Sequence, residues 1–186
     1  MMVRYFLPIL LSVILISCKK KETEPEYEPE YVPTDVIFKT TANFSINQVF
    51  DLINELNHEV EVINGGVLIS DFQPDSLQYV LDFINKKSYT GTDDWKVGGY
   101  NHYETKVITV FPRLHQINNR ANQQDWLQTM QLLQLKEIKE PASDRGYIVH
   151  IHVPEGKEKE WVATLKTYNF IQWAELNYIA LIILHQ

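Results

Sequence analysis

Gly146-Tyr147-Ile148-Val149-His150-Ile151-His152-Val153-Pro154-Glu155-Gly156 is the stretch on which the fold turns. Seven β-prone residues alternate in character and stop at Pro154, as a strand with one buried face does. The alternation sends Tyr147, Val149, Ile151 and Val153 toward a core. Ile148, His150 and His152 then face away from it, where a partner would sit. Pro154-Glu155-Gly156 leads into a helix with Trp161, Val162 and Leu165 facing inward. Phe170 to Leu184 reads as strand to the end. Before this block, Lys106–Phe111 is a strand, Asn122 and Asp125 are candidate caps of a helix running to about Leu133, Lys136–Lys139 is a short strand, and Ala142–Gly146 turns the chain.

The preceding half has the same order. Val36–Lys39 is strand-like. Phe44-Ser45-Ile46-Asn47-Gln48-Val49 opens a helix, with Ser45 and Gln48 spaced as a capping box and Phe44 and Val49 as a hydrophobic staple. Glu59-Val60-Glu61-Val62 alternates as a strand, Asn64-Gly65-Gly66 is a hairpin signal, and Val67–Ile69 is the return strand. Pro74-Asp75-Ser76 starts a second helix, and Trp95-Lys96-Val97 is a weak closing strand. Both halves fit β-α-β-β-α-β, so the expected fold is α+β: two tandem ferredoxin-like units with antiparallel sheets, at 34–103 and 104–186. Each is small enough that one core gives marginal stability, so the two are expected to pack together or share a sheet.

The chain has 186 residues, 45% apolar and 22% charged, which excludes collagen-like, wholly disordered and polytopic membrane classes. A net charge of −7 and no basic face speak against nucleic acid. The single cysteine excludes an intrachain disulfide and a four-cysteine zinc site.

Residues 1–17 have Arg4 ahead of an apolar run from Tyr5 to Ile16. The run is far short of the roughly 20 residues a membrane span needs and has the form of a secretory leader. It ends in Leu15-Ile16-Ser17-Cys18, which resembles the bacterial lipobox. The resemblance implies that Cys18 is lipidated and anchors the protein in the cell envelope; the alternative is an ordinary leader followed by a free buried cysteine. Residues 18–33, rich in Lys, Glu and Pro, read as an extended flexible tether. The charged tract after Cys18 also resembles export signals of surface lipoproteins in the Bacteroidetes, so the outer membrane is the expected address.

The second half resembles the propeptide and inhibitor family of subtilisin-like serine proteases. The resemblance is carried by residues 146–156 and by Ala174-Glu175-Leu176-Asn177-Tyr178, where the family commonly has Ala-Glu-Pro-Asn-Tyr. It covers roughly residues 105–180. Leu176 stands where proline is usual, and no Asp/His/Ser protease follows in the chain. The resemblance implies a protein-binding module, not an enzyme, that engages and inhibits or chaperones such a protease. Its open sheet face would dock through Ile148, His150, His152, Glu175, Asn177 and Tyr178. The tail, ending in Leu184, His185 and Gln186, would lie in the active-site cleft as an added strand. The apolar run Ile179–Leu184 is itself the pattern of a strand buried on both faces, which could not enter a cleft. The alternative function is a non-inhibitory scaffold lipoprotein of a surface complex.

Other constellations are weaker. His150 and His152 share a strand face, but zinc needs three or four ligands, and His102, His115 and His185 count only if the fold gathers them, so no metal is expected. If exposed, the two would titrate near neutrality. Serine-nucleophile and phosphate-loop motifs are absent, and no cofactor is expected. Trp95, Tyr100, Tyr103 and Trp126 are a candidate stacking patch that core packing explains as well.

Overall fold

The structure is a computed structural model that describes residues 29–138 and 145–179. In chain order it contains β1 (Tyr31–Thr40), α1 (Ile46–Leu56), β2 (Glu59–Asn64), β3 (Leu68–Ser70), α2 (Leu77–Asn85), β4 (Gly98–His102), β5 (Val107–Phe111), β6 (Leu114–His115), α3 (Arg120–Leu132), β7 (Leu135–Glu137), β8 (Ile148–His152), α4 (Glu158–Leu165) and β9 (Ile171–Tyr178). Local signals set several boundaries. Ser45 caps α1 and Gln48 closes the reciprocal capping box. Pro74-Asp75-Ser76 forms a 3-10 turn that feeds α2. The cap of α3 is Asn119, whose side chain accepts from the Ala121 N–H; the expected Asn122 lies inside the helix, and Asp125 is used elsewhere.

The strands form two antiparallel sheets of order β6-β2-β8-β1-β9 and β4-β5-β3-β7. The fold is therefore α+β, but the expected units do not follow one another. The first sheet takes β1, α1 and β2 from the early chain and β8, α4 and β9 from its end. The second takes everything in the β3–β7 interval except β6, a two-residue strand that crosses back to pair with β2. Numbered by its own chain, each sheet has the β-α-β-β-α-β connection with strands in the order 4-1-3-2. The second unit is nested inside the first, in place of the hairpin between the host's second and third strands.

The nesting has a geometric reason. In the 4-1-3-2 order the first and last strands are neighbours, so the ends of the inner unit lie side by side: Leu68 is opposite Glu137. The host likewise offers two adjacent ends, Asn64 opposite Ile148. Two connections join these pairs, residues 65–67 and 138–147, where a hairpin was expected at Asn64-Gly65-Gly66. At Gly65 and Gly146 the backbone is packed so closely that side chains do not fit. A Cβ on Gly65, whose φ is +82°, would lie 2.8 Å from the Gly146 carbonyl oxygen, and one on Gly146 would lie 1.7 Å from the Thr40 carbonyl oxygen. Thr40 and Tyr147 fasten the crossing: the Thr40 N–H donates to the Tyr147 carbonyl at 2.9 Å, and the Tyr147 N–H donates to Thr40 Oγ1 at 3.0 Å.

The two units share one core. Val36, Phe38, Val149 and Ile151 of the first sheet and Leu68, Ile108, Val110 and Leu135 of the second belong to a single buried cluster with residues of α1, α2, α3 and α4. Burial on this scale is the main favourable term. Polar groups join the units too. Asn54 of α1 and Gln123 of α3 exchange amide hydrogen bonds at 2.9 and 3.1 Å. Glu137 Oε1 accepts from the Ile46 N–H and from Tyr147 Oη, both at 2.6 Å, tying β7 to the start of α1 and to the linker. Tyr147 is buried, and that burial, with the Glu137 carboxylate beside it, pushes its phenol well above the usual tyrosine range.

Three further expectations are corrected. Tyr31, Val32 and Pro33, read as the end of the tether, begin β1: Tyr31 is opposite Tyr178, and the Ile179 N–H donates to the Glu30 carbonyl at 2.8 Å. A bulge at Thr34 (φ 71°) lets this strand continue, and the Thr34 N–H donates to the buried Glu158 carboxylate at 2.8 Å. The closing strand near Trp95–Val97 is instead β4 at Gly98–His102; Trp95 makes one isolated bridge to Thr92. The last strand ends at Tyr178, and Ala180–Gln186 lie outside the described residues, as do Cys18 and most of the tether.

Replacing Gly146 by alanine is expected to lower stability by about 2 kcal/mol or more, because the new methyl meets backbone that cannot move aside. Gly98→Ala, where a Cβ meets nothing within 4 Å, is expected to stay within about 0.5 kcal/mol of the parent. Urea unfolding of both variants checks the pair.

Candidate functional site

The first sheet carries its helices on one face, and the strand registers lay out the other. On β8, Val149 and Ile151 enter the core, so Ile148, His150 and His152 turn away from it, as the alternation requires. On β1, Val36 and Phe38 point in, and Asp35, Ile37 and Lys39 point out. On β9, Ala174 points in, and Trp173, Glu175 and Asn177 point out. Read across the sheet, one row is His115, Val62, His150, Ile37 and Glu175. The row below is Glu59, His152 and Asp35, with Asn177 bonded to Asp35. The row above is Asn64, Ile148, Lys39 and Trp173.

One position was misread from sequence. Strict alternation of Glu59-Val60-Glu61-Val62 would put both valines in the core. The register slips between Val60 and Val62, so Glu61 is the extra residue of a β-bulge. Val62 thereby turns to the helix-free face, where it is still buried beside β6, and Ile63 takes the core position. The two-residue pattern gave no sign of a bulge, since a bulge leaves residue types unchanged.

Asp35 organises the lower row. Its Oδ1 is 2.8 Å from His152 Nδ1, and its Oδ2 accepts from Asn177 Nδ2 at 3.0 Å. The carboxylate fixes the imidazole with Nδ1–H toward Asp35, so Nε2 is the atom offered outward. Asn177 is held in the same network, whereas Glu175 and Tyr178 are exposed. Thus Ile148, His150, His152, Glu175 and Asn177 share one face, Tyr178 lies at its end, and Leu184, His185 and Gln186 fall outside the described residues.

His150 sits centrally. Burial pushes its pKa down; Glu61 and Asp35 oppose this, and Arg113 and His152 add to it. His115 is lowered by burial and by Arg113, with Glu61 opposing. The His115 ring meets Trp95 edge-on at 6.3 Å, and the Arg113 guanidinium lies 5.6 Å from the Trp95 ring centre. These contacts come from the chain that crosses between the units, so the nested unit builds one margin of the host's face. His58, packed edge-on against Trp161 at 4.3 Å, is also lowered by burial.

The expected alternatives disperse. Among the described residues no group of three or more His, Cys, Asp or Glu side chains could hold a metal, and His102 lies on the other sheet. The four-ring patch does not assemble: Trp126 is in the core against Tyr89, Trp95 is beside His115, and Tyr100 stacks on Phe111. Asp125 accepts from Tyr89 Oη and from Lys87, bonds that hold its carboxyl below the usual range. Among the described residues no helix is long and apolar enough to cross a membrane.

The surface so formed offers apolar patches at Ile37, Ile148 and Trp173 between oriented hydrogen-bonding groups. In the unfolded chain His58, His115 and His150 take up protons near 6.5; folded, they resist until lower pH. The native state therefore binds fewer protons, and stability falls as pH drops below about 6.5. The urea midpoint is expected to be lower at about pH 5 than at about pH 7, and His150→Gln should flatten the dependence. A midpoint that rises on acidification would contradict this assignment. Compared with known proteins, the chain matches no family model, no curated protein and no solved structure.

Proposed function

We propose that this is a lipid-anchored envelope protein, held through Cys18, whose helix-free sheet face docks on a subtilisin-like serine protease and inhibits or chaperones it. The reading takes the two nested units as ferredoxin-like and the outer one as the protease-binding module. One observation carries it. The two stretches that resemble the propeptide family, 146–156 and 174–178, lie on β8 and β9 of one sheet, with β1 between them. They place Ile148, His150, His152, Glu175 and Asn177 on one face. The extent of the resemblance changes, since residues 105–138 belong to the nested unit or to β6, and the strands completing the module are β1 and β2.

Strand direction supports a substrate-like tail. β8 and β9 both run antiparallel to β1, so both end at the edge marked by His152 and Tyr178. The nested unit is joined at the opposite edge, by Asn64 and Ile148. β9 therefore ends, at Tyr178, on the side away from the insertion, and a tail continuing from there is the segment the proposal lays in the cleft as an added strand. The tether enters at this same edge, through Tyr31.

The test is titration of a broad-specificity subtilisin-like protease with the soluble chain, residues 19–186. Stoichiometric inhibition is expected. Ile148→Asp is expected to weaken it at least tenfold, about 1.4 kcal/mol, with circular dichroism unchanged. Deleting residues 181–186 is expected to abolish it with the fold intact. An intact chain that does not inhibit would favour the scaffold function instead.

A further inference from the structure

Arg113 stands at the margin of the first sheet's helix-free face with its charge unused. Leu114 enters the core, so its neighbours Arg113 and His115 turn to the other side of β6. Both meet Trp95: the guanidinium lies over the indole, 5.6 Å from the ring centre, and the imidazole meets it edge-on at 6.3 Å. The positive charge acts on His115 and also on His150, lowering the pKa of each. His150 lies in the same row as His115, with Val62 between them. Among the described residues Arg113 makes no ion pair and no hydrogen bond. Its Nε is buried without a partner, and so is Nε2 of His115.

A partly buried arginine in a chain of net charge −7 has 24 acidic side chains to choose from, and this one pairs with none. Trp95 holds the guanidinium by its flat face, which leaves the N–H donors in the plane of the group, pointing sideways. Buried donors without partners cost stability, so such a group marks a place where a partner atom belongs. A carboxylate is the group whose two oxygens match that fork. His115 and His150 flank the spot, with Cα atoms about 10 Å apart across two strand spacings, and each ring has an N–H to add. The surroundings indicate what carries the carboxylate. Ile37, Ile148 and Trp173 lie on the same face. A small anion would touch none of them, whereas a docked protein covers them together with the arginine, as an apolar centre with a polar rim. We infer that Arg113, His115 and His150 form a seat for an aspartate or glutamate side chain of the protein that docks on this face. The inference rests on the docking reading. Glu61, the exposed bulge residue, competes for the seat: its charge reaches both histidines, yet it does not pair with Arg113.

The test compares variants of the soluble chain, residues 19–186, as inhibitors of a broad-specificity subtilisin-like protease at two salt concentrations. In about 0.05 M NaCl, Arg113→Gln is expected to weaken inhibition about fivefold or more, chiefly through slower association. Arg113→Lys, which keeps the charge, is expected to retain most of the inhibition. Glu61→Gln, which removes the competitor and leaves the arginine untouched, is expected to tighten it about twofold or more. In about 0.5 M NaCl the gap between the parent and Arg113→Gln is expected to close. A parent that inhibits no better than Arg113→Gln at either salt would overturn the seat and leave the docking reading standing. A loss shared by Arg113→Lys, with no gain from Glu61→Gln, would make the arginine a structural residue and overturn the seat as well. A folded parent that does not inhibit at all would overturn the docking reading and the seat with it.

Discussion

The crossing of two linkers at Gly65, Gly146 and Thr40 is the constraint on which the rest depends. Through it the chain leaves one sheet, builds a second and returns. The backbone there is packed so tightly that a single methyl group has no room at Gly146. The crossing fixes β8 beside β1, and that pairing aligns Asp35 with His152 and Ile37 with His150. Without it there is no shared face, because the residues that form the face lie more than a hundred positions apart. Joining two adjacent ends to two adjacent ends also keeps the cost low. The host closes its sheet across a folded, short-ended unit, so the entropy of closing a long flexible loop is largely avoided.

Local structure was legible wherever it depends on neighbours in sequence. The Ser45–Gln48 box starts α1, Pro74 starts the second helical segment, and the alternation from Tyr147 to Val153 separates core from surface correctly. Most of the alternating series of strands and helices was legible as well. The nesting of the two units was not, because a tandem and a nested arrangement present the same series of strands and helices. Only strand pairing distinguishes them, and pairing is a long-range choice made by the common core. Gly65-Gly66 carried the relevant signal in ambiguous form: glycine serves a hairpin by permitting positive φ, and it serves a crossing by occupying no space.

The same distinction runs through the helix-free face of the first sheet. Ile148, His150 and His152 could be placed from alternation alone. Their companions could not. Asp35, which orients His152, and Asn177, which completes that network, come from strands at opposite ends of the chain. Glu61 and Val62 were hidden by the bulge, and Arg113, His115 and Trp95 reach the margin from the nested unit. The inner unit thus braces the outer one through Glu137 and Asn54–Gln123 and edges its helix-free face. Glu30 and Ile179 meet at the edge opposite the nested unit.

The central claim is that β1 and β8 are neighbours in one sheet, with residues 37 and 150 directly opposite. Cysteines at these two positions, in the soluble chain that starts at residue 19 and so lacks Cys18, measure this directly. Directly opposite residues of an antiparallel pair have Cα atoms about 5 Å apart, within the span of a disulfide. The account predicts that Ile37→Cys with His150→Cys cross-links within single molecules on mild oxidation, and that the product keeps the parent circular dichroism. Failure to form the intramolecular bond in a folded chain would separate β1 from β8 and contradict the nested fold and the face built on it.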